Sequence, residues 1–101
     1  MSLQLPPLDP LLLSELRLSI MSILMQEEEA DFLFLKEKTS ATGGNLSVQI
    51  DKLSTAGYIE VEKGFVGKRT RTACKITEHG RQAFKAHFEA LKMYLPAEGL
   101  G

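Results

Sequence analysis

Apolar positions recur at helical spacing in four stretches of the chain and alternate with polar ones in two. Leu12, Leu13, Leu16, Ile20, Ile23 and Leu24 form the first stripe. Asp9 stands before it as an N-cap with Pro10 in the first helical position, so the spacing predicts a helix over 10–26. Residues 1–8, interrupted by prolines, are expected to be an extended arm. Leu11, Leu18, Met21 and Met25 widen the stripe until the helix is apolar nearly all round, which calls for burial on more than one side. Glu27, Glu28 and Glu29 read as a solvated acidic turn, and Asp31 as the N-cap of a second helix over 32–39. Leu46, Ile50 and Leu53 fall at i, i+4 and i+7 and predict a third helix over 44–56, stopped by Gly57 in a position that favours a left-handed residue. Ile59 and Val61 then alternate with Glu60 and Glu62, and Thr70–Ile76 alternates more weakly. Together they predict a hairpin over 58–76. Thr77 caps a last helix over 78–95, and 96–101 is a tail. The predicted class is α+β, mainly α: a three-helix core, a two-stranded hairpin and a long C-terminal helix.

Composition bounds this picture without changing it. The 101 residues make one domain, with 44% hydrophobic and 25% charged residues, ordinary for a soluble fold. No apolar run approaches the ~18 residues a membrane span needs. The N-terminus lacks the basic segment of a secretory signal, and one cysteine, Cys74, permits no internal disulfide; both suit the cytoplasm.

Charge does change the picture. The net charge is −1, but residues 1–35 carry one base, Arg17, against six acids, while residues 36–71 carry seven bases against four acids. A local basic face matters more for phosphate contact than the total. Four of those bases, Lys63, Lys68, Arg69 and Arg71, stand at the expected hairpin tip, Lys63–Arg71, with no acid among them. The outward face of the third helix carries Asn45, Ser47, Val48, Gln49 and Lys52. Amide and hydroxyl groups there can bond base edges, and Val48 can meet a thymine methyl. Thr42 and the amides of Gly43 and Gly44 stand at the helix N-terminus, where phosphate is favoured.

Helix, hairpin and helix in this order, with cationic charge at the hairpin tip, spell a winged helix-turn-helix. A helix fits the major groove, and a cationic hairpin beside it reaches the flanking phosphates. The expected base contacts are Asn45, Ser47, Val48 and Gln49. The expected backbone contacts are Thr42, Gly44, Lys52, Lys68, Arg69 and Arg71. Phe65 and Val66 have two readings at this stage: packing against the body, or contact with nucleic-acid sugars. A charged hairpin tip also discourages edge-to-edge aggregation.

Two passages carry a family resemblance. Leu53-Ser54-Thr55-Ala56-Gly57-Tyr58-Ile59 resembles the end of the recognition helix in MarR- and ArsR-like regulators, and Ile76-Thr77-Glu78-His79-Gly80-Arg81 resembles their helix start after the wing. Asn45-Leu46-Ser47 with Ile50 and Leu53 is similar to the recognition-helix core of the same proteins. The resemblance covers about residues 12–92. It implies a dimeric, sequence-specific regulator that binds double-stranded DNA, with dimer contacts on the terminal helices. Leu13, Ile20, Leu24, Phe84, Phe88, Leu91 and Leu95 are the expected interface residues.

The chain departs from metal-sensing ArsR-like proteins in having no cysteine cluster. His79 and His87 lie about 80° apart around a helix, unlike an i, i+4 ligand pair, so no metal and no cofactor is expected. No nucleophile–base set stands at a recognisable spacing, so catalysis is not expected. Any small-molecule effector is unknown. The alternative function, favoured by the acidic N-terminal third, is a winged-helix module that binds protein rather than DNA.

Overall fold

A computed structural model of the protein describes residues 4–96. A 3-10 turn, Pro10–Leu13, precedes helix α1, Glu15–Glu27. A short strand β1, Glu29–Asp31, leads into α2, Phe32–Thr39, and α3, Gly43–Thr55. The hairpin strands β2, Ile59–Val66, and β3, Arg69–Ile76, are followed by α4, Glu78–Lys92. The sheet is antiparallel in the order β1-β3-β2.

The stretch expected as one helix over 10–26 is two elements because it holds two N-caps. Asp9 accepts a hydrogen bond from the Leu11 amide, and Ser14 accepts one from the Arg17 amide. Ser14 is extended, with φ −76° and ψ 128°, so the first turn ends and a new helix begins there. Glu28 closes α1 at φ 68°, its amide bonded to the Leu24 carbonyl.

The acidic turn expected at 27–29 gives way to a third strand. Glu29, Ala30 and Asp31 pair with Lys75, Cys74 and Ala73. Three residues with one buried alanine show no alternation long enough to read. The strand follows from its neighbours: it covers one edge of β3, and Lys75 lies between Glu29 and Glu60 across the two ladders.

Asp31 caps α2 through the Phe34 amide, and α2 ends at Ser40 in the left-handed region, φ 58°. Thr42 caps α3 through the Asn45 amide. The end of α3 is a Schellman arrangement: the Tyr58 amide bonds the Leu53 carbonyl and the Gly57 amide bonds the Ser54 carbonyl. Gly57 has φ 79°, which is what that motif asks of the residue. Helix α4 ends at Lys92, short of the expected 95. Met93, Tyr94 and Leu95 each bond three residues back, so the chain tightens and stops.

One core holds these elements together. Leu12, Ile20, Met21, Leu24, Leu35, Leu46, Ile50, Leu53, Ile59, Cys74 and Ile76 are buried in it. It reaches only the inner half of the hairpin. Ile59 is buried and Val61 half-buried, and every residue from Glu62 to Arg71 is exposed. The molecule is correspondingly long, 63 Å by 26 Å by 21 Å.

The start of α4 is clamped to the start of β2. Thr77 donates its amide to the Tyr58 carbonyl and its hydroxyl to the Gly57 carbonyl. A Cβ on Gly80 would stand 2.1 Å from the Tyr58 carbonyl oxygen, so only glycine allows this approach. Asp9 adds a second clamp. Its carboxylate accepts from the Tyr58 hydroxyl, and its amide donates to Nδ1 of buried His87. Further along, the Tyr94 hydroxyl donates to the Pro6 carbonyl, 2.6 Å away. The N-terminal segment is thereby fixed along α4.

Candidate nucleic-acid interface

The outward face of α3 is set by its buried stripe. With Leu46, Ile50 and Leu53 turned inward, Asn45, Ser47, Val48 and Lys52 are exposed, and Gln49 is half-buried. Val48 is 50% exposed, which leaves its methyls free for an apolar contact. Asp51 is also exposed on this face, an acid among the expected contacts. It was visible in the helical spacing, since it lies five residues beyond Leu46 and off the buried stripe.

At the start of the helix the Thr42 oxygen accepts the Asn45 amide, leaving its hydroxyl hydrogen to donate outward. Gly43 lies against the Phe32 ring, whereas a Cβ on Gly44 would meet nothing within 4 Å. The protein body therefore does not require glycine at position 44. Close approach by a ligand to the helix N-terminus would give one a use there.

Two side chains on α3 are not free. Gln49 accepts a hydrogen bond from Arg17 Nη1 at 2.5 Å and donates to Asn45 Oδ1 at 3.0 Å. Arg17 is anchored by its Nε to the Leu11 carbonyl at 2.7 Å. The Asn45–Gln49 pair was legible as an i, i+4 couple. Arg17, 32 positions away from Gln49, was not.

The hairpin beside α3 turns on Gly67, φ 63°, with Val66 paired to Arg69. Positive φ at only the first central residue is the II′ pattern, whose twist suits a tight hairpin. Lys63, Lys68 and Arg69 are exposed on its outer half, and a groove of about 290 Å³ between α3 and the hairpin is lined by Ser47, Asp51, Lys63 and Thr72, among others. Arg71 differs from the tip bases. Its Nε lies 3.7 Å from Asp31, the residue that caps α2, so it ties the hairpin to the body. Phe65 and Val66 are 75% and 63% exposed and do not pack against the body.

The residues expected at a dimer interface separate into three sets. Ile20 and Leu24 are fully buried in the protomer's own core, which corrects their assignment to a contact surface: the apolar excess of α1 is covered by α2, α3 and the sheet. Phe84 is half-buried against that core, and Leu91 is half-buried on α4. Leu13, Phe88 and Leu95 are exposed by 59%, 54% and 46%, joined by Leu5, Met93 and Tyr94.

Two acids of the N-terminal third face bases outside α3. Glu28 bonds Arg81 at 3.4 Å, and Glu29 faces Lys75. Cys74 is buried, and burial, then the Asp31 carboxylate, pushes its thiol up to about 11, against thiolate chemistry at neutral pH. Among the described residues no group of three His, Cys, Asp or Glu could hold a metal, and no helix is long and apolar enough to cross a membrane.

Known proteins share this arrangement. Residues 16–95 match the family model of the winged helix DNA-binding domain. An uncharacterized protein of Methanocaldococcus jannaschii is 38% identical over 81 residues, which cover 79% of this chain and 88% of the relative. A structure described as a transcriptional regulator homologue from Pyrococcus horikoshii OT3 superposes with a TM-score of 0.77 at 30% identity, over 83% of each chain. Reduced AbfR bound to DNA superposes with a TM-score of 0.74 over 84% of this chain and 59% of that one; at 21% identity the likeness is one of fold. The transcriptional regulator BldR of Sulfolobus solfataricus superposes with a TM-score of 0.66 at 23% identity, again a likeness of fold, and the matched family model describes a DNA-binding domain. By the match over residues 16–95, the chain belongs to the winged helix DNA-binding domain family.

Proposed function

We propose that the protein is a sequence-specific transcriptional regulator that binds double-stranded DNA as a homodimer. The observation that carries this reading is the pairing of an exposed polar face on α3 with a hairpin whose free bases, Lys63, Lys68 and Arg69, project past the core. Helix α3 lies in the major groove, with Asn45, Ser47 and Val48 at base edges. Thr42, the Gly44 amide, Lys52, Lys68 and Arg69 meet the backbone. Arg71 steadies the wing through Asp31 and makes at most a secondary phosphate contact.

The dimer rests on the exposed apolar surface of the terminal segments, Leu13, Phe88 and Leu95, with Leu91 beside them. A second protomer is the natural cover for such residues in a chain this small. Two copies related by a two-fold axis place their recognition helices about 34 Å apart, one turn of duplex.

Selection from a random-sequence duplex pool at two salt concentrations tests the proposal. The expected result is a palindrome with half-sites one helical turn apart and affinity that falls steeply with salt. Enrichment of a single half-site would retain DNA reading and remove the dimer. No binding even at low salt would overturn the proposal in favour of a protein-binding module.

A further inference from the structure

We infer that Arg17 is a positioning residue that decides which atom of Asn45 faces a base, and that it makes Asn45 a reader of guanine. The inference rests on the DNA-binding reading of α3.

Its ground is the polarity of the chain Leu11–Arg17–Gln49–Asn45. Arginine has five N–H donors and no acceptor, and it stays charged. Only the amide oxygen of Gln49 can face it, as observed. The amide nitrogen of Gln49 is then turned the other way and needs an acceptor, which Asn45 Oδ1 supplies at 3.0 Å. Asn45 is exposed, so the group it offers outward is its Nδ2, with two hydrogens. The anchor of Arg17 Nε on the Leu11 carbonyl fixes the origin of the relay in the backbone.

The consequence is a bias towards donation: Nδ2 keeps both hydrogens, while one of the two lone pairs of Oδ1 is engaged by Gln49. Free asparagine pairs bidentately with adenine, giving to N7 and accepting from N6. With its oxygen held by Gln49, Asn45 meets acceptors best. Guanine offers two neighbouring acceptors in the major groove, O6 and N7, whereas cytosine offers only a donor.

The relay can be reversed without removing it. Gln49→Glu has only acceptors. It keeps the Arg17 contact but obliges Asn45 to donate Nδ2 inward and to present Oδ1 outward. Arg17→Lys remains a pure donor and keeps the original polarity, whereas Arg17→Ala releases both amides.

The test is selection from a random duplex pool with the full chain and these three variants, each checked by thermal melting. The wild type and Arg17→Lys should enrich guanine at one half-site position, by roughly tenfold over cytosine. Gln49→Glu should move that one position to cytosine or adenine, and Arg17→Ala should admit adenine beside guanine. An unchanged base preference in Gln49→Glu, with the wild type still selecting a site, would overturn the relay and leave the DNA reading intact. Side-chain amide hydrogen exchange without DNA gives an independent readout. Gln49 amide protons should exchange more slowly than those of Asn45, and Arg17→Ala should remove the difference. Equal exchange in the wild type would overturn the relay, whatever the selection shows. A wild type that selects no sequence would instead overturn the reading on which the inference rests.

Discussion

The inner and outer halves of the β2–β3 hairpin share one ladder and one register but live in different surroundings. Ile59, Val61, Cys74 and Ile76 in the inner half are packed against α1, α3 and one another. Four residues further out Phe65 faces the same side of the sheet as Val61 and packs on nothing. The backbone hydrogen bonds continue past the point where the core stops. Stability is thus concentrated at the base of the wing, and the tip keeps a regular shape without contributing to the core. A tip of this kind can carry charge and exposed aromatic surface at little expense to the fold, which is what a surface for another molecule requires.

The sharpest way to break this comparison is to truncate one residue in each half. Ile59→Ala removes a side chain that is 2% exposed and should cost about 2–5 kcal/mol in chemical denaturation. Phe65→Ala should lie within about 0.5 kcal/mol of the wild type. A comparable loss at Phe65 would mean that the tip is coupled to the core after all. The next largest effect is on binding. Replacing Lys68 and Arg69 together by alanine should leave the melting curve unchanged, lower affinity for all duplexes alike, and flatten the salt slope of the dimer by roughly 3.6, about 0.9 for each of two phosphate contacts per protomer. A loss confined to one sequence would place these bases at base edges instead.

A smaller effect separates the clamp at the base of the wing from the tip. Burial, then the hydrogen bond from its hydroxyl to Asp9, then the Asp9 charge, raise Tyr58 to about 12 from the ordinary 10. The folded state therefore holds this proton more tightly than the unfolded chain. The contribution is complete below pH ~10 and is lost as pH climbs towards ~12. Cys74 adds a loss of the same sign beginning near pH ~9. Tyr58→Phe should lower stability at neutral pH by about 1 kcal/mol and flatten its decline above pH ~10, as read from urea midpoints at successive pH values. A decline as steep as in the wild type would remove Tyr58 from the account.

The sequence was most legible where one signal acts locally. The Thr42 and Thr77 caps, the Gly57 stop and the Leu46–Ile50–Leu53 stripe each sit within a turn or two of what they determine, and the fold class follows from their order. Legibility failed where the deciding partner is distant. Strand β1 exists because β3 has an edge to cover, more than 40 residues later. Ile20 and Leu24 look like surplus apolar surface until three other elements close over them. The half-buried Gln49 reads as a free base contact until Arg17 reaches it from α1. His87 carries no local sign of its surroundings in the sequence, and it is buried, accepting the Asp9 amide 78 positions away. In the candidate site, residue types and helix face were readable, while the direction in which each amide points was not.

The smallest expected effect tests the division of the hairpin most directly. Gly67 has φ 63° and a Cβ there would meet nothing within 4 Å, so alanine at this position is opposed by backbone strain alone, about 1 kcal/mol. If the outer half opens without the core, that strain is released by local fraying and does not reach global stability. Gly67→Ala should then leave the denaturation midpoint within error and speed amide hydrogen exchange in Gly64–Arg71 by roughly fivefold, the factor that ~1 kcal/mol corresponds to. Amides of Ile59, Val61, Cys74 and Ile76 should be unaffected, because their protection depends on the core. If both halves speed up together and the midpoint falls by the same free energy, the hairpin unfolds as one unit and the tip carries stability as well as contact.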